Sequence, residues 1–124
     1  MLGRVLLSRG FQAALLAAIL VLATWYMFFA PQRFDRSRWF AAAPASTDRS
    51  AMVDDLLRRY RLVGRTQQQV IELLGPPTRT NRWEGWELVY RLGPGAGWSA
   101  GIGDEWLLFD VVGDRVVAHR VVPD

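Results

Sequence analysis

The sequence predicts an α+β protein: an N-terminal transmembrane helix followed by two short helices packed on a three-stranded antiparallel sheet. Three observations lead to this fold class. Residues 11–30 carry no charge, residues 51–75 place apolar residues at helical spacing, and segments 86–92, 106–112 and 115–122 have the pattern of strands. The expected organisation is a short basic N-terminus (1–10), the transmembrane helix (11–30), a linker (31–50) and an α+β domain (51–124).

The uncharged stretch from residue 11 to residue 30 contains only two polar residues, Gln12 and Thr24. Twenty helical residues at about 1.5 Å each span about 30 Å, which matches the hydrocarbon thickness of a bilayer. The stretch closes with aromatic residues typical of a membrane interface, and Pro31 ends the helix. The aromatic residues are Trp25, Tyr26, Phe28 and Phe29.

A cleaved signal peptide is the alternative, because Val21-Leu22-Ala23 provides a small-residue cleavage site after a short apolar core. Cleavage there would leave a new N-terminus rich in exposed aromatic residues, which favours the uncleaved anchor. Arginines flank the stretch on both sides, so the charge distribution does not decide which side of the membrane the domain occupies.

The positive charge is concentrated outside the predicted domain. Residues 1–50 contain six arginines and two acids, a net of +4, whereas residues 51–124 contain nine arginines and ten acids, a net of −1. The domain therefore lacks the basic face that binding to nucleic acid requires. The chain contains no cysteine, which excludes disulfides, thiolate metal sites and a lipidated N-terminal cysteine.

Segment 31–50 combines two prolines, a run of small residues and aromatic residues interleaved with arginine. Two interpretations stay open. The segment can lie on the lipid headgroups through membrane-proximal residues, or it can be an unstructured tether. The membrane-proximal residues in the first interpretation are Arg33, Arg36, Arg38 and Trp39.

The first helix of the domain should follow Ser50, because apolar residues recur at helical spacing from Met52 to Val63. Its other face should carry the i,i+4 ion pairs Asp54–Arg58 and Asp55–Arg59. A second helix should begin with a capping box formed by Thr66 and Gln69, and should end at Gly75-Pro76-Pro77.

The strands begin where the apolar period changes to two. Trp86, Leu88, Tyr90 and Leu92 alternate with Glu87, Val89 and Arg91, which predicts one buried face and one face mostly exposed to solvent. Segments 106–112 and 115–122, joined by a Gly113-Asp114 turn, complete an antiparallel meander. Helices on a sheet that is buried on one side are the simplest packing of these elements.

The pattern L-x-G-x-T-x-x-x-V-x-x-x-L-G-x-P, followed by a strand tyrosine, resembles the SmpA/OmlA (BamE-like) family over roughly residues 51–122. The resemblance implies a two-helix, three-strand sandwich outside the cytoplasm, an accessory role in outer-membrane β-barrel assembly, and kinship with the β-lactamase-inhibitor-like fold, whose members grip proteins with the sheet face. The matching positions are Leu62, Gly64, Thr66, Val70, Leu74, Gly75, Pro77 and Tyr90.

The N-terminus departs from that family, whose lipoproteins begin with a lipidated cysteine and lie on the outer membrane. This chain has a hydrophobic span instead. We therefore expect a single-pass protein of the bacterial inner membrane with its C-terminal domain in the periplasm.

No residue pattern indicates catalysis. Gly95–Ala100 spells G-x-G-x-x-A, but a strand follows it where a dinucleotide site needs a helix, so a flexible loop is expected. His119 is the only histidine, and neither a nucleophile elbow nor ligand spacing accompanies it. We expect no enzyme activity, no cofactor, no metal and no small-molecule substrate.

The tryptophans near the sheet are the strongest indication of a contact surface. Trp83 and Trp98 lie at loop ends, where packing and partner contact are equally compatible with the sequence, and Arg82 adjoins Trp83. These three residues form the predicted partner site. The expected function is a membrane-tethered scaffold that binds an envelope protein; the alternative is a module that binds lipid headgroups.

Overall fold

The computed structural model describes residues 8–29, 32–96, 101 and 103–124. The chain divides into two compact units, residues 1–30 and residues 31–124. An apolar N-terminal helix, further short helices and a three-stranded antiparallel sheet confirm the predicted α+β class.

Within residues 8–29, the structure describes the helix α1 (Arg9–Phe29) of the first unit. Every side chain described in it, from Arg9 to Met27, is exposed. Among the residues with a described position, α1 is the one helix long and apolar enough to cross a membrane.

The described residues of the second unit form three short helices and a meander. The helices are α2 (Arg36–Ala41), α3 (Asp48–Arg59) and α4 (Gln67–Leu74), and the strands are β1 (Leu88–Pro94), β2 (Asp104–Val112) and β3 (Arg115–Pro123). The strand order is β1-β2-β3, with both pairs antiparallel. Gly113 and Asp114, with φ of 56° and 72°, form the predicted turn between β2 and β3.

The helices supply buried residues to one face of the sheet, where they form the main core. Burying apolar side chains in this way is the dominant stabilising term of a domain. The main core consists of Phe34, Trp39, Met52, Val53, Leu56, Leu62, Val70, Leu74, Leu88, Tyr90, Leu92, Leu107, Phe109 and Val116.

The predicted capping box at the start of α4 is confirmed. The Thr66 hydroxyl accepts a hydrogen bond from the Gln69 backbone N–H (3.1 Å), and the Gln69 side chain accepts one from the Thr66 N–H (2.9 Å). Gly75 follows the helix with a φ of 85°, a conformation that favours glycine. These local signals fix both ends of α4.

The predicted linker is wrong, because residues 32–50 belong to the folded unit. Trp39 is fully buried, and its indole N–H donates to the Leu74 carbonyl (3.0 Å). Phe34 is 6% exposed, and its N–H donates to the Asp55 carboxylate (2.6 Å). Asp35 caps α2, and α3 begins at Asp48 instead of after Ser50. The domain therefore includes segment 32–50.

The ion pairs of α3 are confirmed in part. Arg59 lies 2.9 Å from the Asp55 carboxylate, as predicted, but Arg58 pairs with Asp55 at 3.4 Å rather than with Asp54. Asp55 is 6% exposed and lies against segment 32–50, so it is not on the solvent face of the helix. The hydrogen bond from the Phe34 N–H explains its burial.

The opposite face of the sheet carries a second group of apolar residues, here called the outer cluster. Its members are Val89, Trp106 and Leu108, with Trp83, Trp86 and Val122 packed against them. The prediction that this face is mostly exposed is therefore wrong. Trp86 was expected to share a face with Tyr90, but β1 begins only at Leu88, so the alternation does not extend back to Trp86.

Candidate functional site

The outer cluster contains two tryptophans whose polar groups are buried. The rings of Trp83 and Trp106 meet edge to face with centroids 6.2 Å apart, and Trp106 is 6% exposed. Neither indole N–H has a hydrogen-bond acceptor in the part of the chain that the structure describes. A buried N–H without an acceptor costs about 1–3 kcal/mol, so these two donors stand out among the buried polar side-chain atoms that the structure describes.

Arg82 lies at the edge of the outer cluster, where the structure brings it together with Trp83. Its guanidinium is 5.6 Å from the centroid of the Trp83 ring and forms an ion pair with the Asp124 carboxylate. Two of the three predicted partner residues are thus adjacent. The third, Trp98, lies outside the described residues.

The residues of the family-like pattern have structural positions rather than positions in a site. Leu62, Val70, Leu74 and Tyr90 lie in the main core. The Tyr90 hydroxyl donates to the Gly75 carbonyl (2.8 Å), and burial raises the pKa of Tyr90 to about 12.

The other positions of the pattern shape the loops around α4. The Gly64 N–H donates to the Val116 carbonyl (2.8 Å), which holds the loop before α4 against β3. Thr66 caps α4, Gly75 ends it, and Pro77 is half-buried in the segment that follows. None of these residues contributes to the outer cluster.

The four predicted membrane-proximal residues have different environments. Arg33 and Arg38 line a shallow cavity of about 400 Å³ together with Arg59. Arg36 donates to the Glu72 carbonyl (2.9 Å) and lies 4.6 Å from the centroid of the Phe40 ring. Trp39 is fully buried, so its predicted place among the lipid headgroups is wrong.

A second cavity, which we call the Arg49 cavity, was not predicted from the sequence. Its volume is about 230 Å³, and its polar lining comes from Arg49 on α3, Thr78 and Arg91 on β1. Desolvation lowers the pKa of Arg49, and the nearby Tyr90 acts weakly in the opposite direction. The lining comes from segments far apart in the chain, so no local pattern could have indicated it.

The described residues include no group of three or more His, Asp or Glu side chains that could hold a metal ion. His119 on β3 faces Phe109 on β2, with the ring centroids 6.3 Å apart. This histidine is half-buried and packs against the aromatic core of the sheet.

The chain matches no protein-family model, no curated protein and no solved structure.

Proposed function

We propose that this protein is a membrane-tethered, non-enzymatic binding module of the bacterial cell envelope. In this proposal α1 crosses the inner membrane once and carries residues 31–124 into the periplasm. The observation that carries the proposal is that every apolar side chain described in α1, from Phe11 to Met27, is exposed.

Exposed apolar surface on this scale needs a cover. Leu16, Leu20, Val21 and Leu22 are each more than 60% exposed, and exposed apolar area costs about 25 cal/mol per Å² in water. A helix of 21 residues is about 30 Å long, which is the thickness of the hydrocarbon layer. Lipid therefore supplies a cover of the right length and chemistry.

Arg82 and the two half-buried tryptophans of the outer cluster, Trp83 and Trp86, are the proposed contact surface for an envelope protein. Tryptophan and arginine are enriched among the residues that dominate binding energy in protein interfaces. An accessory role in outer-membrane or envelope protein assembly agrees with the family-like pattern at residues 62–77.

Reporter fusions after Asp124 test the topology. Alkaline phosphatase is active only outside the cytoplasm, whereas a suitable fluorescent protein matures only inside it. We expect phosphatase activity and a dark fluorescent fusion. The opposite result would place residues 31–124 in the cytoplasm and overturn the envelope assignment.

Co-purification from membranes tests the contact surface. The full chain in mild detergent should retain an envelope protein in a fixed ratio, and Arg82→Glu should reduce that ratio. Arg79→Glu is the matched control, because Arg79 is also exposed but is not part of the outer cluster. A chain that stays alone and monomeric under these conditions would contradict the proposal.

Binding to lipid headgroups is the second candidate function. The observation in its favour is that Arg33, Arg38 and Arg59 line one shallow cavity, with Arg33 only four residues after the end of α1. Each arginine near an anionic leaflet contributes about 1 kcal/mol. Flotation of residues 31–124 with anionic vesicles should then decrease steeply as salt is raised, and binding that is absent or independent of salt would exclude this function.

A further inference from the structure

The Arg49 cavity shares no lining residue with the outer cluster. One wall is apolar and consists of Ala42, Ala43 and Pro44 from the loop after α2, together with Leu92 from β1. Arginine side chains from α3 and β1 contribute the charge. A small apolar cavity with charged groups at its edge has the composition of a ligand pocket.

Arg91 already has a hydrogen-bond partner at each of its three side-chain nitrogens. Its Nε and Nη2 atoms donate to the Asp104 carboxylate at 2.8 and 2.6 Å, and Nη1 donates to the Pro44 carbonyl at 3.3 Å. The charge of Arg91 is therefore neutralised by Asp104. This contact also fixes the loop after α2 against the sheet.

Arg49 is held in place but is not neutralised. Its Nε atom donates to the Trp39 carbonyl at 3.0 Å, and its guanidinium lies 4.9 Å from the centroid of the Trp39 ring. Within the residues the structure describes, no carboxylate pairs with it, and its two terminal nitrogens donate to no acceptor. Four of its five N–H groups are thus available.

The charges of the cavity define the class of ligand. Two arginines and one aspartate leave one positive charge, which a single negative charge would balance. The guanidinium is planar and matches a carboxylate with two parallel hydrogen bonds. The volume of about 230 Å³ is below the roughly 300 Å³ at which typical ligand pockets begin, so the bound group is small.

We propose that the Arg49 cavity binds a carboxylate that carries a short apolar group. Arg49 holds the carboxylate, and the apolar group packs against Ala42, Ala43, Pro44 and Leu92. Such a group can be a free small acid or the C-terminal residue of a polypeptide. This inference goes beyond the proposed function and depends neither on α1 nor on the outer cluster.

Arginine side-chain NMR of the full chain in zwitterionic nanodiscs tests this site. The probes are propionate, acetyl-alanine with a free carboxylate, and the neutral acetyl-alanine amide, all at one ionic strength. The Arg49 Nε–H resonance should shift with acetyl-alanine until it saturates, and should not shift with the amide. Equal shifts with the acid and the amide, or no saturable shift with any acid, would overturn the proposal.

Matched variants separate binding at Arg49 from general attraction to arginine. Arg49→Gln should weaken binding of acetyl-alanine at least about tenfold, because a charge-assisted pair of hydrogen bonds is lost. Arg58→Gln on the same helix is the control and should bind like the wild type, because Arg58 is 70% exposed and outside the cavity.

A second variant keeps the test decisive if Arg49→Gln does not fold. Ala42→Leu fills the cavity and leaves Arg49 in place, so it should weaken binding of acetyl-alanine while the Arg49 resonance remains. Wild-type affinity in Ala42→Leu would show that the acid does not enter the cavity and would overturn the proposal.

Two further arms identify the ligand. Saturable binding of propionate as well as acetyl-alanine indicates a free small acid, whereas binding of acetyl-alanine alone indicates a polypeptide C-terminus. Inorganic phosphate should bind more weakly than acetyl-alanine, because the cavity has one unbalanced positive charge and an apolar wall. Tighter binding of phosphate would overturn the carboxylate assignment.

Discussion

Helix α1 and the segment formed by residues 32–50 differ in the environment of their aromatic residues. Both contain aromatic residues next to apolar or small residues. Trp25 and Tyr26 in α1 are 48% and 68% exposed, whereas Phe34 and Trp39 are 6% and 0% exposed. Aromatic residues next to small or apolar residues thus do not by themselves indicate whether a segment is exposed or belongs to a protein core.

The difference lies in where the polar groups of each segment find partners. In segment 32–50, the Trp39 indole donates to Leu74 and the Phe34 N–H donates to Asp55, so residues distant in sequence hold the aromatic side chains in the core. In α1 the uninterrupted apolar run leaves a helix whose described side chains contact solvent on all faces. One segment completes the domain, and the other is long and apolar enough to cross a membrane.

The largest expected effect is the loss of Trp39. We expect Trp39→Ala to lower the free energy of unfolding of residues 31–124 by about 3–5 kcal/mol, because it empties a fully buried site and removes the bond to Leu74. Urea denaturation measures this change. Phe40→Ala on the same helix is the control and should cost about 1 kcal/mol, since Phe40 is 44% exposed. Similar values for both variants would mean that segment 32–50 is not part of the core.

A charged residue placed in α1 tests whether this helix inserts into a membrane. Leu16→Arg should disfavour membrane insertion, at most by the about 2.5–3.5 kcal/mol of a charge at the centre of a span, because Leu16 lies inside α1 but before its midpoint. Extraction of membranes with alkaline carbonate measures the integrated fraction. Leu16→Ala should integrate like the wild type. Full integration of Leu16→Arg would indicate that α1 does not cross the hydrocarbon layer.

Asp55 joins segment 32–50 to α3, and its contribution to the stability of the fold should depend on pH. The hydrogen bond from the Phe34 N–H, helped by Arg58 and Arg59 and opposed by desolvation, lowers the pKa of this carboxyl. A lowered pKa stabilises the fold above the unfolded value of about 3.9, and this stabilisation is lost as the pH falls through the folded value. Asp55→Asn should therefore be less stable than the wild type at neutral pH, and the difference should shrink below pH of about 4.

Asp54→Asn provides the matched control for that titration. Asp54 is the adjacent, exposed residue of the same helix, so its substitution should change the free energy of unfolding by no more than about 0.5 kcal/mol at any pH. Thermal melts of both variants between pH 3 and pH 7 give the comparison. If Asp55→Asn were less stable than the wild type by the same amount at every pH in this range, the charge of the carboxylate would not be what holds the segment.

The sequence predicted the elements that depend on local signals. The Thr66 capping box, the break at Gly75 and the Gly113-Asp114 turn each need only neighbouring residues, and all three are present. Helix α2 has six residues, too few for a helical period to be visible, and its burial depends on Leu74 and Asp55 far along the chain.

The same distinction applies to the candidate sites. Arg82 and Trp83 are adjacent in sequence, so their proximity was predictable. The outer cluster requires residues before β1 to fold over the sheet, and the Arg49 cavity requires α3, β1 and two loops to meet. A period-two pattern cannot indicate either arrangement, because each depends on the tertiary fold.

The smallest expected effect concerns Arg33, an exposed residue of segment 32–50. Arg33→Gln should change the free energy of unfolding of residues 31–124 by no more than about 0.5 kcal/mol. If the segment also contacts lipid, the substitution should lower partitioning onto anionic vesicles about fivefold at low salt, and the difference should fade as salt screens the charge. Arg120→Gln on β3 is the exposed control. Equal partitioning of the wild type and both variants would mean that segment 32–50 serves only the domain core.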